Sequence, residues 1–149
     1  MPDPTPAQGH PHAVAPSTTQ PVERGSRPPD LFVVVNRYRL DPAEQGDFLV
    51  QAGVALEALA ARPGFVTGEV ARSTDDPGLL AMLTRWRDVG AYRRALSDHA
   101  VKATAVPLMY RCVDEPGAYE VVLDVVHGRA VAHPSDLART PSRQPSSDR

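Results

Sequence analysis

The chain has a single cysteine, Cys112. An internal disulfide is excluded, and a reducing, cytoplasmic setting is expected. Nothing in the sequence pairs Cys112 with a base, so it reads as a small core or near-surface residue and not as a nucleophile. Aromatic residues are scarce as well: the 149 residues hold one Trp, four Tyr and three Phe, all between Phe32 and Tyr119. Positive charge is not in excess. Lys and Arg number 16 against 18 Asp and Glu, a net charge of -2, which gives no reason to expect nucleic acid or an anionic membrane as partner. No apolar run approaches the roughly 20 residues needed to cross a bilayer. The first residues lack a basic start followed by an apolar stretch, so no signal peptide is expected.

Proline, by contrast, is abundant and unevenly placed. Of 16 prolines, eight fall within the first 29 residues, among Thr, Ser, Gln and Gly. Such a segment buries too little apolar surface to offset its ordering entropy. Residues 1–29 are therefore expected to be a disordered tail, residues 30–127 a folded domain, and residues 128–149 a second disordered tail. His10 and His12 lie in the first tail without the further ligands that a structural metal site needs. No metal site is expected.

Within the domain, Leu31–Leu40 reads as a strand by its β-branched and aromatic content. Phe32, Val34, Asn36, Tyr38 and Leu40 share one face of it. An amide among these apolar neighbours must find hydrogen-bond partners in the backbone or in a ligand. Asp41-Pro42-Ala43-Glu44 predicts a helix start, with Asp41 as cap, Pro42 at the first position and Glu44 reaching back. Phe48, Ala52, Ala55, Leu56 and Leu59 form its apolar stripe as far as about Arg62. Pro63-Gly64 ends it. Phe65–Ser73 reads as a second strand. The turn Thr74–Gly78 joins it antiparallel to a third, Leu79–Arg87.

The third strand and the helix after it organise the rest of the chain. Leu79-Leu80-Ala81-Met82-Leu83 is too short for a helix and suits a strand covered on both faces. It ends at Trp86, the chain's sole tryptophan. Asp88 then offers a cap to a helix from Val89 to about Asp98, in which Val89, Tyr92 and Leu96 share a face. A pocket is expected beside the Trp86 and Tyr92 rings. Beyond this, a helical pattern is open up to Pro107, which should stop it or open a new turn. Tyr119–His127 reads as the last strand. The order β-α-β-β-α-β is the ferredoxin-like pattern: an α+β domain with a four-stranded antiparallel sheet and two helices on one face. The third and fourth strands are apolar on successive residues, so the second sheet face needs a cover. A second copy of the chain, giving a homodimer, is the economical one.

Asn36, Arg62-Pro63-Gly64-Phe65, the Ser73–Gly78 hairpin, Trp86-Arg87-Asp88 and Ala91-Tyr92-Arg93 together resemble the antibiotic biosynthesis monooxygenase (ABM) domain family. The resemblance runs from about Leu31 to Val125 and implies a dimeric α+β barrel. One branch of that family oxidises polycyclic phenols or anthrones with O2, using neither metal nor flavin. Its pocket carries a Trp and a Tyr six positions later, matched by Trp86 and Tyr92. It also carries an Asn four residues before the Trp and an Arg about twenty after it, where this chain has Met82 and Val106. A second branch binds and degrades heme. It resembles this chain at Asn36, but its second Trp and its axial His fall at Ala95 and about Ala105, with His99 six residues short. The resemblance thus implies a monooxygenase without a cofactor, acting on a small aromatic or quinol-like substrate with O2 through Trp86, Tyr92 and Asn36. A ligand-binding dimer without turnover is the first alternative, and a heme-binding or heme-degrading monooxygenase with an altered ligand is the second. The two rings read equally well as core packing.

Overall fold

In the computed structural model the described residues are 32–135. The tail over 1–29, with His10 and His12, and the residues beyond 135 lie outside them. Strand β1 (Phe32–Arg39) is an inner strand of a four-stranded sheet. It runs antiparallel to β3 (Leu79–Trp86), with Phe32 opposite Trp86 and Arg39 opposite Leu79. Strand β2 (Phe65–Arg72) pairs with the other edge of β3 through a bulge between Phe65 and Thr67. Strand β4 (Ala118–Glu120) pairs with the other edge of β1. The order β2-β3-β1-β4, antiparallel throughout, is the expected ferredoxin-like α+β fold.

One face of the sheet carries the helices. Phe32, Val34 and Tyr38 of β1 and Leu80, Met82 and Trp86 of β3 form one core with residues from three helices. Helix α1 (Gln45–Ala60) contributes Phe48, Ala52, Ala55 and Leu59. It starts three residues later than Pro42 suggests. The Asp41 N–H donates to the Glu44 carboxylate at 3.1 Å, so the reach-back forms, around an irregular first turn.

The expected second helix forms, and the stretch after it, left open in the sequence, is a third helix. Helix α2 (Val89–Ala95) begins where Asp88 accepts from the Ala91 N–H at 2.7 Å. Helix α3 (His99–Met109) has a cap of its own, because Asp98 accepts from Ala100 and Val101. That second cap splits the helical stretch. Pro107 does not stop α3. It lies in the last turn, where the N–H it lacks costs one bond, and the buried Leu108 anchors the turn against the core.

The last strand is shorter than expected. Among the described residues its pairing with β1 runs as far as Glu120, opposite Phe32. Leu123–Val126 (β5) instead turns back through His127 and Gly128 onto Arg129–Ala132 (β6). Both turn residues have positive φ, 51° and 76°, as a two-residue type I′ hairpin requires. Structure therefore extends past Gly128, where the composition predicts a tail.

No helix lies over the outer face of the sheet among the described residues. Alternation along the strands puts Val33, Val35, Ala81 and Leu83 there, partly buried. No helix among the described residues is long and apolar enough to cross a membrane.

Candidate active site

Gly64 fixes how α2 meets the sheet. Its φ is +89°, and a Cβ built there would lie 2.4 Å from the Ala91 Cβ. Only glycine lets the turn after α1 press against the first turn of α2. The Gly64 carbonyl accepts from the Arg87 N–H at 2.8 Å, tying the end of β3 to the same turn. Asp88 is held below the ordinary carboxylate range, first by the Ala91 N–H and then by Arg87, so it caps as an anion at neutral pH. The result is a rigid connection between Trp86 and Tyr92.

Trp86 is fully buried, and its indole N–H donates to Thr84 Oγ1 at 2.9 Å. Its ring stands edge-on to Phe65, with centroids 5.2 Å apart. It also meets Tyr92, at 5.6 Å and 60°. Tyr92 also leans on Phe32, at 5.5 Å. The two rings singled out in the sequence are thus in contact. Burial, and then Cys112, push the Tyr92 phenol above its ordinary pKa, so it stays protonated as a hydrogen-bond donor.

Asn36 is not brought into contact with that pair by its position in the sheet. It sits on the same inner face, 9% exposed, but opposite Met82, while Trp86 is opposite Phe32. Four residues of strand separate the two positions, about 14 Å at ~3.4 Å per residue. Between and beyond them lie residues that sequence reasoning does not single out. Tyr38, the next inner residue after Asn36, is fully buried against Phe48 at 4.6 Å. Its hydroxyl finds no partner among the described residues. The Cys112 thiol donates to the Met109 carbonyl at 2.9 Å, and Cys112 packs against the core. Burying a ring of this size stabilises by roughly 1.5–3 kcal/mol. Leaving its hydroxyl unpaired costs about 1–3 kcal/mol. The two nearly cancel, so stability alone does not account for a tyrosine at this position.

A cleft of about 310 Å³ lies outside α2, lined by Arg62, Pro63, Ala91, Arg94, Ala95, Ser97 and Asp98. Arg62 and Asp98 bridge it at 2.6 Å. Neither Trp86 nor Tyr92 lines it.

The model of the antibiotic biosynthesis monooxygenase family matches residues 31–106, from β1 through most of α3. The chain belongs to the antibiotic biosynthesis monooxygenase family. Solved structures share its fold. A single-site variant of SnoaB from Streptomyces nogalater, described as a cofactor-independent oxygenase, is 26% identical. It aligns over 61% of this chain and 92% of its own, with a TM-score of 0.53. A conserved protein from Methanosarcina mazei Go1 is 22% identical over 62% of this chain and 94% of its own, with a TM-score of 0.52. No curated protein sequence is significantly similar to this chain.

Within the ABM frame, the matched region contains Asn36, Tyr38, Trp86 and Tyr92, while Cys112, β4 and the β5–β6 hairpin lie beyond it. The residues present do not fit heme ligation. Ala95 and Ala105 are buried core residues, and His99 is exposed at the start of α3. Iron would need an axial ligand that these positions do not offer. Among the described residues no group of three or more His, Cys, Asp or Glu could hold a metal ion.

Proposed function

We propose that this protein is a small cofactor-independent monooxygenase that oxidises an aromatic or quinol-like small molecule with O2. The observation that carries the reading is the Trp86–Tyr92 ring pair at the head of α2 in an ABM-family chain. SnoaB, described as a cofactor-independent oxygenase, supports the class of chemistry. The substrate is a ring system with an acidic CH2 beside a carbonyl or phenol. Loss of a proton gives a carbanion delocalised onto oxygen, which passes electrons to O2. The CH2 becomes a carbonyl with one oxygen atom, and the other leaves as water with both hydrogens. Tyr92, protonated at neutral pH, donates to the developing oxyanion. Trp86 supplies an apolar wall and excludes water. Asn36 holds a second oxygen. It stands directly across the sheet from Met82, so its amide replaces from the neighbouring strand the one that the polyketide branch carries at that position. The ~14 Å between Asn36 and Trp86 along the strand suits a fused-ring substrate better than a single ring.

The enzyme acts as a homodimer in this reading. Val33, Val35, Ala81 and Leu83 form an outer sheet face with no helix over it among the described residues. Leu123, Val125, Val126 and Val131 of the β5–β6 hairpin are exposed. A lone hairpin is marginal in water, and a second copy of the sheet covers both surfaces.

A rival reading, a ligand-binding dimer without turnover, draws on Trp86 itself. Its N–H is satisfied by Thr84 and its ring is enclosed, as in a core residue. Oxygen uptake by chelator-treated protein with a panel of anthrones and quinols separates the two. Uptake that falls about tenfold or more in folded Tyr92→Phe, on the order of 1.4 kcal/mol of barrier, supports the oxygenase. Uptake absent with every substrate, or indifferent to Tyr92→Phe and Trp86→Phe, favours the binding protein.

A further inference from the structure

The cleft outside α2 has a chemistry of its own. Its apolar lining is Pro63, from the turn after α1, with Ala91 and Ala95 of α2. Its charged lining is Arg62, Arg94 and Asp98, with the Ser97 hydroxyl beside them. The one carboxylate is fully committed. Asp98 Oδ1 accepts from the Ala100 and Val101 N–H groups as the cap of α3, and Oδ2 accepts from Arg62 Nη1 at 2.6 Å. The two guanidinium groups are not. Arg62 gives Asp98 one nitrogen, and its Nε–H has no partner among the described residues. An orphaned donor of this kind marks a group with bonding capacity left over. Arg94 forms no ion pair with any described residue. Its Nη1 lies 3.1 Å from the point where a Cβ on Gly90 would stand. The nearby Asp88 bonds instead to the Ala91 N–H and to Arg87. Charge is segregated here as well. Residues 85–102 carry five Lys or Arg against two Asp, in a chain whose net charge is -2.

We infer that this cleft binds a small organic oxyanion, a carboxylate or a phosphate monoester, held by Arg62 and Arg94 with its apolar body against Pro63, Ala91 and Ala95. Guanidinium groups match the oxygens of either headgroup with short, charge-assisted bonds. A cationic ligand would meet two like charges, and a neutral one would leave both uncompensated. The Arg62 side chain is only 33% exposed, so water screens it less than an open surface charge. A volume of about 310 Å³ is at the small end of ligand sites and suits one ring or a short chain. Neither Trp86 nor Tyr92 lines this cleft, so the inference is independent of the oxygenase reading.

The test uses the full chain, with phenyl phosphate, benzoate and the neutral benzyl alcohol as probes. Amide chemical shifts are followed by NMR through each titration, in wild type, Arg94→Gln, Arg94→Lys and Arg93→Gln. Arg93 is the next residue on α2 and does not line the cleft, so its variant loses the same charge beside the site. Thermal midpoints establish that each variant is folded, and they should stay level because both arginines are exposed. The expected result is that at least one anion shifts the Ala91, Ala95 and Ser97 amides and that benzyl alcohol does not. The tighter of the two anions names the headgroup. Arg94→Gln should weaken that anion about tenfold, Arg94→Lys less, and Arg93→Gln by less than about twofold. In wild type, raising the salt from about 20 to about 300 mM should weaken the anion further. Anions that bind no more tightly than benzyl alcohol overturn the inference, as do shifts confined to other residues. Equal losses in Arg93→Gln and Arg94→Gln also overturn it, because they mark diffuse surface charge and not a site. None of these outcomes bears on oxygen uptake, so the ring-pair reading survives a failure here.

Discussion

Replacing Gly64 by alanine should damage both the fold and the site, for two separable reasons. The first is conformational. Gly64 has a φ of +89°, a region where an L side chain costs about 1–2 kcal/mol. The second is steric. The new Cβ would come within 2.4 Å of the Ala91 Cβ, so α2 must move. Overpacking of this kind costs roughly 1–3 kcal/mol. Together, about 2–5 kcal/mol is expected from a domain whose total stability is on the order of 5–15 kcal/mol. Urea unfolding followed by Trp86 emission measures it, since α2 carries Tyr92 against that indole. The companion variant Ala91→Gly removes the other half of the clash. In the Gly64→Ala/Ala91→Gly double variant the steric share should return while the conformational share remains, a favourable coupling of about 1–3 kcal/mol. A Gly64→Ala cost below about 0.5 kcal/mol, or no coupling with Ala91→Gly, would refute the view that this contact seats α2.

The same geometry sets three further outcomes. Asp88→Ala should lose about 0.5–2 kcal/mol at neutral pH, because the Ala91 N–H is left uncapped. Asp88 has a depressed folded-state pKa, so its contribution is present above the ordinary carboxylate value and is lost as pH falls through the folded value. The gap between variant and wild type should therefore narrow in denaturant titrations as the pH is taken below the ordinary carboxylate value. If the protein is the homodimer proposed above, Leu83→Glu, on the outer sheet face, should turn it into a monomer by light scattering; an unchanged dimer would move the interface elsewhere. Gly128→Val should unfold the β5–β6 hairpin locally, because the type I′ turn needs positive φ there. Amide exchange across Leu123–Ala132 should accelerate while β1 and β3 stay protected, and uniform protection would contradict it.

Much of this fold is legible in the chain, for identifiable reasons. The strand–helix–strand–strand order is punctuated by Pro63-Gly64 and Asp76-Pro77-Gly78, and each apolar stripe keeps one period. Asp88 announces its helix, and the spacing of Trp86 and Tyr92 implies the contact that their rings make. Where sequence and structure part, a tertiary effect overrides a local one. Asp98 reads locally as a helix end, although its carboxylate starts α3. Pro107 reads as a stop, but buried Leu108 carries the helix past it. The last strand reads too long, because nothing in Val121-Val122 announces that the chain goes on into the β5–β6 hairpin. The site is only half legible. Tyr38 alternates with apolar neighbours as any core tyrosine does, and only the folded chain shows that its hydroxyl lacks a partner. The cleft outside α2 joins residues from the end of α1 with others from α2 and its junction with α3, a grouping that no linear motif announces.

The central claim is that the Trp86–Tyr92 site inserts one atom of O2 into a ring substrate. Turnover of an anthrone under oxygen-18 gas, with chelator present and the product weighed by mass spectrometry, tests it most directly. The account predicts a quinone carrying one oxygen-18 atom, formed by wild type and strongly diminished in folded Tyr92→Phe. A product without label, or labelled product formed equally by Tyr92→Phe, would contradict it.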